Sequence, residues 1–498
     1  MIYTMSKSKI FWLVFVIIII ASFFRLYQLK TVPPGLYPDE AMEGNNALQI
    51  IHGGSFKVFY PENNGREGLF VNILVFFIKF LGNEPWVIRL PMAIAGILTV
   101  LGIYFLAAEL FGPATGLLTS FLVAVSFWHI LFSRIGFRAM LAPMLLVWSV
   151  YFLLLALRRL NSKRYFLYSV IGGIIYGLGF YTYIAYRVTP VLVLFVIAYL
   201  WKKADAPARK KILLSAGCFL FLTFLTALPI GYYFLKHPAD FTGRTSEISI
   251  FGSAHPLQDL GWNILKTAGM FNFHGDYNWR QNLSGQPELF WPVGILFVLG
   301  VLLGIIKLWR WFRRRIAAGT SPTEPFALML VFLWFILAAL PVVISDEGIP
   351  HALRSILMIP PVFMLTALAG VRLYRFLQKY NPEWLLKAVA IIFFIFVTLG
   401  TYQQYFVTWA KNKNTADAYS ADYVEIGNEI NALPPETPKY VIVQASGVLA
   451  GGVPMPAQTV MFITDTYLPK YQQLKNIHYV LPTDEKNIPA GAAKFYLK

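Results

Sequence analysis

Long apolar stretches recur along almost the whole chain, each about the length of a membrane crossing and each separated from the next by a short polar link. No soluble core can absorb so many. Only 13% of the residues are charged, against about 25% in a soluble globular chain. The fold class is therefore an α-helical polytopic membrane protein. The net charge of +17 does not point to nucleic acid, because the basic residues fall in short clusters between apolar segments, as in cytoplasmic loops. Cys218 is the single cysteine, so no intrachain disulfide forms. No Walker-type glycine loop is present to bring ATP to the protein.

The apolar segments read as spans at roughly 10–26, 86–110, 114–132, 140–157, 165–185, 188–201, 211–235, 288–309, 326–345, 354–372 and 385–407. The first is expected to be a retained span rather than a cleaved signal, since no small-residue cleavage site follows Phe24. A twelfth apolar stretch, about Glu67–Leu81, is too short to cross and is expected to lie in the interface. Leaving it out places the clusters Arg158/Arg159/Lys163/Arg164, Lys202/Lys203/Arg209/Lys210/Lys211, Arg310/Arg313/Arg314/Arg315 and Arg372/Arg375/Lys379/Lys387 on one side with the N-terminus. The positive-inside rule makes that side cytoplasmic and gives roughly eleven spans.

A transmembrane module, 1–407, then carries two large outer loops, 27–85 and 236–287. Residues 408–498 are more polar and read as a small extracytoplasmic α/β domain, with a helix near Asp417–Leu433 and strands at Lys439–Ala445 and Asn476–Leu481. Gly172, Gly173, Gly177 and Gly179 offer small residues for close helix packing. Tyr181, Tyr183 and Tyr186 fit an aromatic belt at the membrane boundary.

The first outer loop holds Gly35-Leu-Tyr-Pro-Asp-Glu-Ala-Met-Glu-Gly44, where Asp39 and Glu40 open a helix. An acidic pair suits the free N–H groups of a helix start, so capping is the plain explanation. At a membrane surface a second one arises. The outer face also collects Glu43, Arg66, Glu67, Arg89, Arg134, Arg138, Arg187, Asp346, Glu347, His351 and Arg354. Any single arginine there can snorkel to headgroups; the group together suits an anionic lipid headgroup, because guanidinium binds phosphate in a bidentate fashion. His255, His274 and Asp276 have no strong metal-ligand spacing. Asn282-Leu-Ser284 is a glycosylation sequon of low specificity.

The run P-x-G-L-Y-P-D-E-A, then R-E-G-L-F, then Trp86–Gly112 with its R-L-P, then Phe132–Met140 (FSRIGFRAM), resembles the protein O-mannosyltransferase-like branch of the GT-C glycosyltransferases, a superfamily that includes the aminoarabinose transferase acting on lipid A. The resemblance covers 10 to about 190 well, is weaker to about 375 and says little of the tail. It implies inverting transfer of a sugar, mannose by family, from a polyprenyl-phosphate-linked donor to a hydroxyl of a protein, glycolipid or glycan acceptor. The site would face outward from a plasma membrane. Asp39 would be the general base, and Glu40 either assists it or caps the helix. Arg66 is assigned to the donor phosphate, although Glu67-Gly68 departs from the family pattern; Arg138, His351 and Arg354 are further candidates for phosphate or sugar. No cofactor and no metal ligands are required, with room left for a divalent cation. A transporter or flippase of a lipid-linked anion is the competing class; it would place ionisable groups near the midplane, often in repeated halves with broken helices.

Overall fold

The computed structural model describes residues 6–247, 249–315 and 323–498. The first residues of the basic N-terminal stretch, and much of the basic loop beyond Arg313, lie outside them. Among the described residues nine helices are long and apolar enough to cross a membrane. They run within α1 (Lys7–Leu26), α4 (Pro85–Phe111), α7 (Leu141–Arg158), α9 (Pro190–Lys203), α10 (Ala206–Lys236), α13 (Trp291–Arg315), α14 (Thr323–Val343), α15 (Ile359–Leu377) and α16 (Glu383–Tyr402), some prolonged by a tighter or wider turn. Between α1 and α4 stand α2 (Pro38–Ile51), a hairpin of β1 (Phe59–Tyr60) with β2 (Arg66–Glu67), and α3 (Leu69–Leu81). At 13 residues α3 is shorter than a span, as expected.

Two of the expected spans are shorter than their hydropathy suggests. The segment 114–132 is broken into α5 (Pro113–Ala124) and α6 (Phe127–Phe132). Breaking a helix inside a membrane strands carbonyl groups that lipid cannot satisfy. Here Arg25 donates to the carbonyls of Val123 (3.2 Å) and Ala124 (3.0 Å), and Thr401 Oγ1 donates to that of Val125 (2.6 Å). Ser126 Oγ opens α6 by accepting the His129 N–H. Arg134, equally buried, donates to the Phe24 carbonyl in the last turn of α1 and to the Val32 carbonyl beyond it. Both guanidinium groups thus rest on the negative ends of helices, with no carboxylate needed.

The segment 165–185 is likewise short: α8 (Tyr165–Gly179) ends in a turn. A Cβ on Gly173 would lie 2.4 Å from the Phe219 carbonyl, so α8 and α10 pack at the distance only glycine allows. Tyr186 is not part of an interfacial belt. Its ring is fully buried against Gly179, where the missing side chain makes room.

The second large outer loop contains α11 (Pro238–Glu247) and α12 (Pro256–Gly269). Beyond α16 the expected helix 417–433 is two helices, α17 (Lys413–Ala418) and α18 (Ala421–Ala432), parted at Ser420, whose φ is 51°. There follow β3 (Lys439–Val443), a hairpin of β4 (Leu449–Ala450) with β5 (Val453–Pro454), α19 (Ala457–Thr464), α20 (Pro469–Lys475), β6 (Ile477–Val480) and β7 (Ala493–Leu497). The sheet is parallel, in the order β6-β3-β7, with Lys439 paired to Ile477 and Ala493. Its inner residues Val441, Val443, Ile477 and Leu497 close over Tyr423, Ile430, Val460 and Met461. The same α19 docks on α2: Asn45 donates to Gln458 Oε1 at 2.9 Å, and Thr459 donates to the Leu36 carbonyl at 2.9 Å.

Candidate active site

Helix α2 starts where it does because Pro38 fits its first turn and Glu40 reaches back to the Tyr37 N–H at 3.4 Å. At 3.6 residues per turn, Glu40, Gly44 and Ala47 share one face, and Asp39, Glu43 and Asn46 the adjacent one.

The first face is closed. Glu40 is fully buried and takes a bidentate guanidinium from Arg89, at 3.0 and 3.2 Å, together with the Gly136 N–H at 2.7 Å. The rest of Arg89 donates to the carbonyls of Pro33 (2.6 Å) and Gly35 (2.8 Å). One buried ion pair therefore fastens the Pro-Pro-Gly turn, the helix start and the loop before α7. Gly35 has φ +72°, and a Cβ there would lie 2.4 Å from the Tyr419 carbonyl. Gly136 is hemmed in similarly, its Cβ position 2.4 Å from Ile88. Glu40 stands as cap and anchor, with its oxygens engaged.

Asp39 is only half-buried. Asn63, at the tip of the β1–β2 hairpin, donates to Asp39 Oδ1 at 2.8 Å; Oδ2 has no hydrogen-bond partner among the described residues. Two residues before it, Tyr37 carries the guanidinium of Arg280 stacked 4.2 Å over its ring. Burial and the charge of Asp39 push the Tyr37 hydroxyl up to about 12, with Arg280 opposing. Arg280 also donates to Asn278 Oδ1 at 3.2 Å but forms no ion pair among the described residues.

Further along the same face, Glu43 meets Arg138 at 3.4 Å, and Arg138 is shared with Glu67 at 3.0 Å. Arg187 approaches Glu67 from the other side at 3.8 Å. Arg66 is buried and donates to Asn46 Oδ1 at 2.7 Å. Burial raises the Glu43 carboxyl, against the pull of Arg66 and Arg138. The structure thus gathers Asp39, Glu40, Arg66 and Arg138 around α2.

His351 and Arg354 belong to a second cluster, built on the loop after α12. Asp276 Oδ2 accepts the Ala352 N–H at 2.9 Å and lies 3.8 Å from His351 Nδ1. Arg354 is engaged with the side chain (2.8 Å) and carbonyl (2.9 Å) of Glu347 and with the Ser345 hydroxyl. Burial pushes Asp276 up to about 6 and Glu288, whose Oε1 accepts the Asp276 N–H, well above its ordinary range. Arg280 comes from this same loop and so joins the two clusters. Among the described residues no group of three or more His, Cys, Asp or Glu is arranged to hold a metal ion.

The sequence counts Arg89 and Glu43 only within the outer-face charge group and singles out neither Arg280 nor Asn46. Arg89 carried a signal, as a charge inside the apolar R-L-P segment. Glu43 and Asn46 are readable as the i+4 and i+7 neighbours of Asp39. Nothing in the sequence places Arg280 beside Tyr37, 243 positions away in the chain.

The family model described as dolichyl-phosphate-mannose-protein mannosyltransferase matches residues 69–230. No curated protein matches the chain. Among solved structures, the apo oligosaccharyltransferase of Archaeoglobus fulgidus is similar with a TM-score of 0.56 at 14% identity, over 98% of this chain and 67% of that one. The same organism's AglB, in complex with an inhibitory peptide and a dolichol-phosphate, gives 0.54 at 14% identity, over 97% and 70%. ArnT of Cupriavidus metallidurans bound to undecaprenyl phosphate gives 0.51 at 15% identity, over 95% and 90%. The chain has the GT-C glycosyltransferase fold, as the first outer loop implied.

Proposed function

We propose that this protein transfers a sugar from a polyprenyl-phosphate donor to an acceptor hydroxyl, with Asp39 as general base. The carrying observation is the contrast at the start of α2: Glu40 is saturated with partners, while among the described residues one carboxylate oxygen of Asp39 has no hydrogen-bond partner and Arg280, stacked on Tyr37 two residues before it, has no ion-pair partner. In this reading the acceptor O–H gives its proton to Asp39 Oδ2 as its oxygen attacks the anomeric carbon. The bond from that carbon to the phosphate oxygen breaks on the opposite face, so configuration inverts. The lipid phosphate leaves with the bonding electrons, and Arg280 meets the charge it gains. Arg138 and Arg354 hold carboxylates already; Glu347, the partner of Arg354, is 71% exposed and can yield to an entering phosphate. Two of the similar structures hold a lipid phosphate, which supports such a ligand here.

Mannose is the sugar this reading starts from, given the family match. The positive-inside pattern supports an extracytoplasmic site, and a plasma membrane is the setting this reading takes. The acceptor is a protein, glycolipid or glycan hydroxyl. Guanidinium groups answer the phosphate charge, so no metal enters the steps.

The transporter reading has one observation in its favour, the broken helix α5–α6 with Arg25 and His129 buried beside it. Those carbonyls are already capped by Arg25 and Thr401, which makes the break a built joint. Release of free polyprenyl phosphate from a panel of polyprenyl-phosphate sugars, with peptide and glycolipid acceptors supplied, tests the choice. Release with one sugar supports transfer; saturable donor binding with movement of the intact lipid across a vesicle and no release would overturn it.

A further inference from the structure

The open face of α2 continues past Asp39 into a group of buried polar atoms that the chemistry above does not use. Glu43 Oε2, Asn46 Nδ2, and both Nε and Nη1 of Arg66 are buried without a hydrogen-bond partner among the described residues. Glu43 and Arg66 are each 2% exposed and Asn46 is fully buried. Each unpaired buried polar group costs stability, and native interiors rarely leave several together unless water or a ligand completes them.

The charges say which ligand fits. Arg66, Arg138 and Arg187 stand against Glu43 and Glu67, with Glu62 close enough to act on the same tyrosine, Tyr60, as Glu43 and Arg66. Asp39 also acts on Glu43, so carboxyl groups stand among these guanidinium groups and an entering phosphate would meet acidic oxygens. A hydroxyl group suits it, because it both donates and accepts. Glu43 Oε2 offers an acceptor, and Asn46 Nδ2 and the Arg66 Nε and Nη1 offer donors. Spacing agrees: Glu43 lies about 6 Å and Asn46 about 10 Å along the helix from Asp39. A sugar ring lying along α2 with its anomeric carbon near Asp39 puts its far hydroxyls beside them.

We propose that Glu43, Asn46 and Arg66 form the subsite that reads the ring hydroxyls of the donor sugar. This rests on the donor reading above and moves Arg66 from the phosphate to the sugar. Phosphate recognition then falls to Arg280, which stacks on Tyr37 at the start of α2.

Binding to purified, detergent-solubilised protein separates the two. The probes are bare polyprenyl phosphate and the best-bound member of a panel of polyprenyl-phosphate-linked hexoses and pentoses. Asn46→Ala and Arg66→Gln are expected to weaken the sugar-bearing donor at least tenfold and to leave bare polyprenyl phosphate within about twofold. Arg280→Gln is expected to weaken both by a similar factor. Should Arg66→Gln fail to fold, Asn46→Ala removes only a neutral amide and still decides. Equal loss for both lipids in Arg66→Gln would make Arg66 a phosphate ligand and overturn the proposal. Unchanged affinity for the sugar donor in Asn46→Ala would also overturn it, leaving ordered water as what fills the space. Wild-type protein that binds neither lipid would instead overturn the donor reading itself.

Discussion

Two faces of one helix, α2, use their polar groups in opposite ways. On the Glu40 face every carboxylate oxygen has a donor, and the Arg89 guanidinium is spent on Glu40 and two carbonyls. On the Asp39 face, among the described residues, one carboxylate oxygen has no hydrogen-bond partner and four more polar atoms of Glu43, Asn46 and Arg66 are buried unpaired. Satisfied polar networks make structure rigid; unsatisfied ones cost stability and are kept where something else binds. The adjacent residues of the Asp-Glu pair therefore divide the work. Glu40 holds the helix start in place, and Asp39 is presented by it.

The division can be broken from either side. The largest effect is expected on the closed face. Arg89→Leu leaves Glu40 buried without its counter-ion, and losing one partner of such a pair costs about 3–5 kcal/mol. The melting midpoint of the purified protein should fall sharply, with turnover lost alongside it. A variant that melts like wild type would show that Glu40 is not anchored by this pair. Arg280, stacked on Tyr37 at the start of α2, should behave differently. Arg280→Gln removes a charge-assisted bond worth about 1.5–3 kcal/mol, read as a KM for donor raised by roughly ten- to a hundredfold at an unchanged midpoint.

A smaller effect is expected in the second cluster. Asp276 is held at about 6 against an ordinary 3.8. Between those values the folded protein binds more protons than the unfolded chain, so stability falls as pH rises through the window and levels off above about 6. Asp276→Asn should flatten that slope, measured as the melting midpoint from about pH 4 to 6.5. A slope that survives in the variant would assign it to other groups. Smallest of all, EDTA should leave donor turnover unchanged; loss restored by a divalent cation would add a metal to the site.

How much of this was legible in the sequence depends on what each feature needs. Apolar length and basic clusters are local, so the spans and the short α3 could be read directly. The break between α5 and α6 could not: it is sustained by Arg25 and Thr401, about 100 and 276 residues away from the carbonyls they cap. The motif pieces P-x-G-L-Y-P-D-E-A, R-L-P and the glycine of FSRIGF were visible separately. Their link is physical, since Arg89 joins the Gly35 carbonyl to Glu40 and Gly136 donates to that same carboxylate. Asp39 and Glu40 look alike as adjacent acids at a helix start, and only the tertiary contacts tell them apart. Arg280 was hidden because a loop carries no periodicity that says where it will fold back.

The most direct measurement is Asp39→Asn beside Glu40→Gln, each assayed for polyprenyl-phosphate release and for melting midpoint. Asp39→Asn should lose at least about a hundredfold in turnover, the usual contribution of a general base, while melting like wild type. Glu40→Gln should lower the midpoint clearly, because Arg89 keeps its charge without a partner. A folded Asp39→Asn protein with turnover near wild type would contradict the assignment of the base and, with it, the division between the two faces.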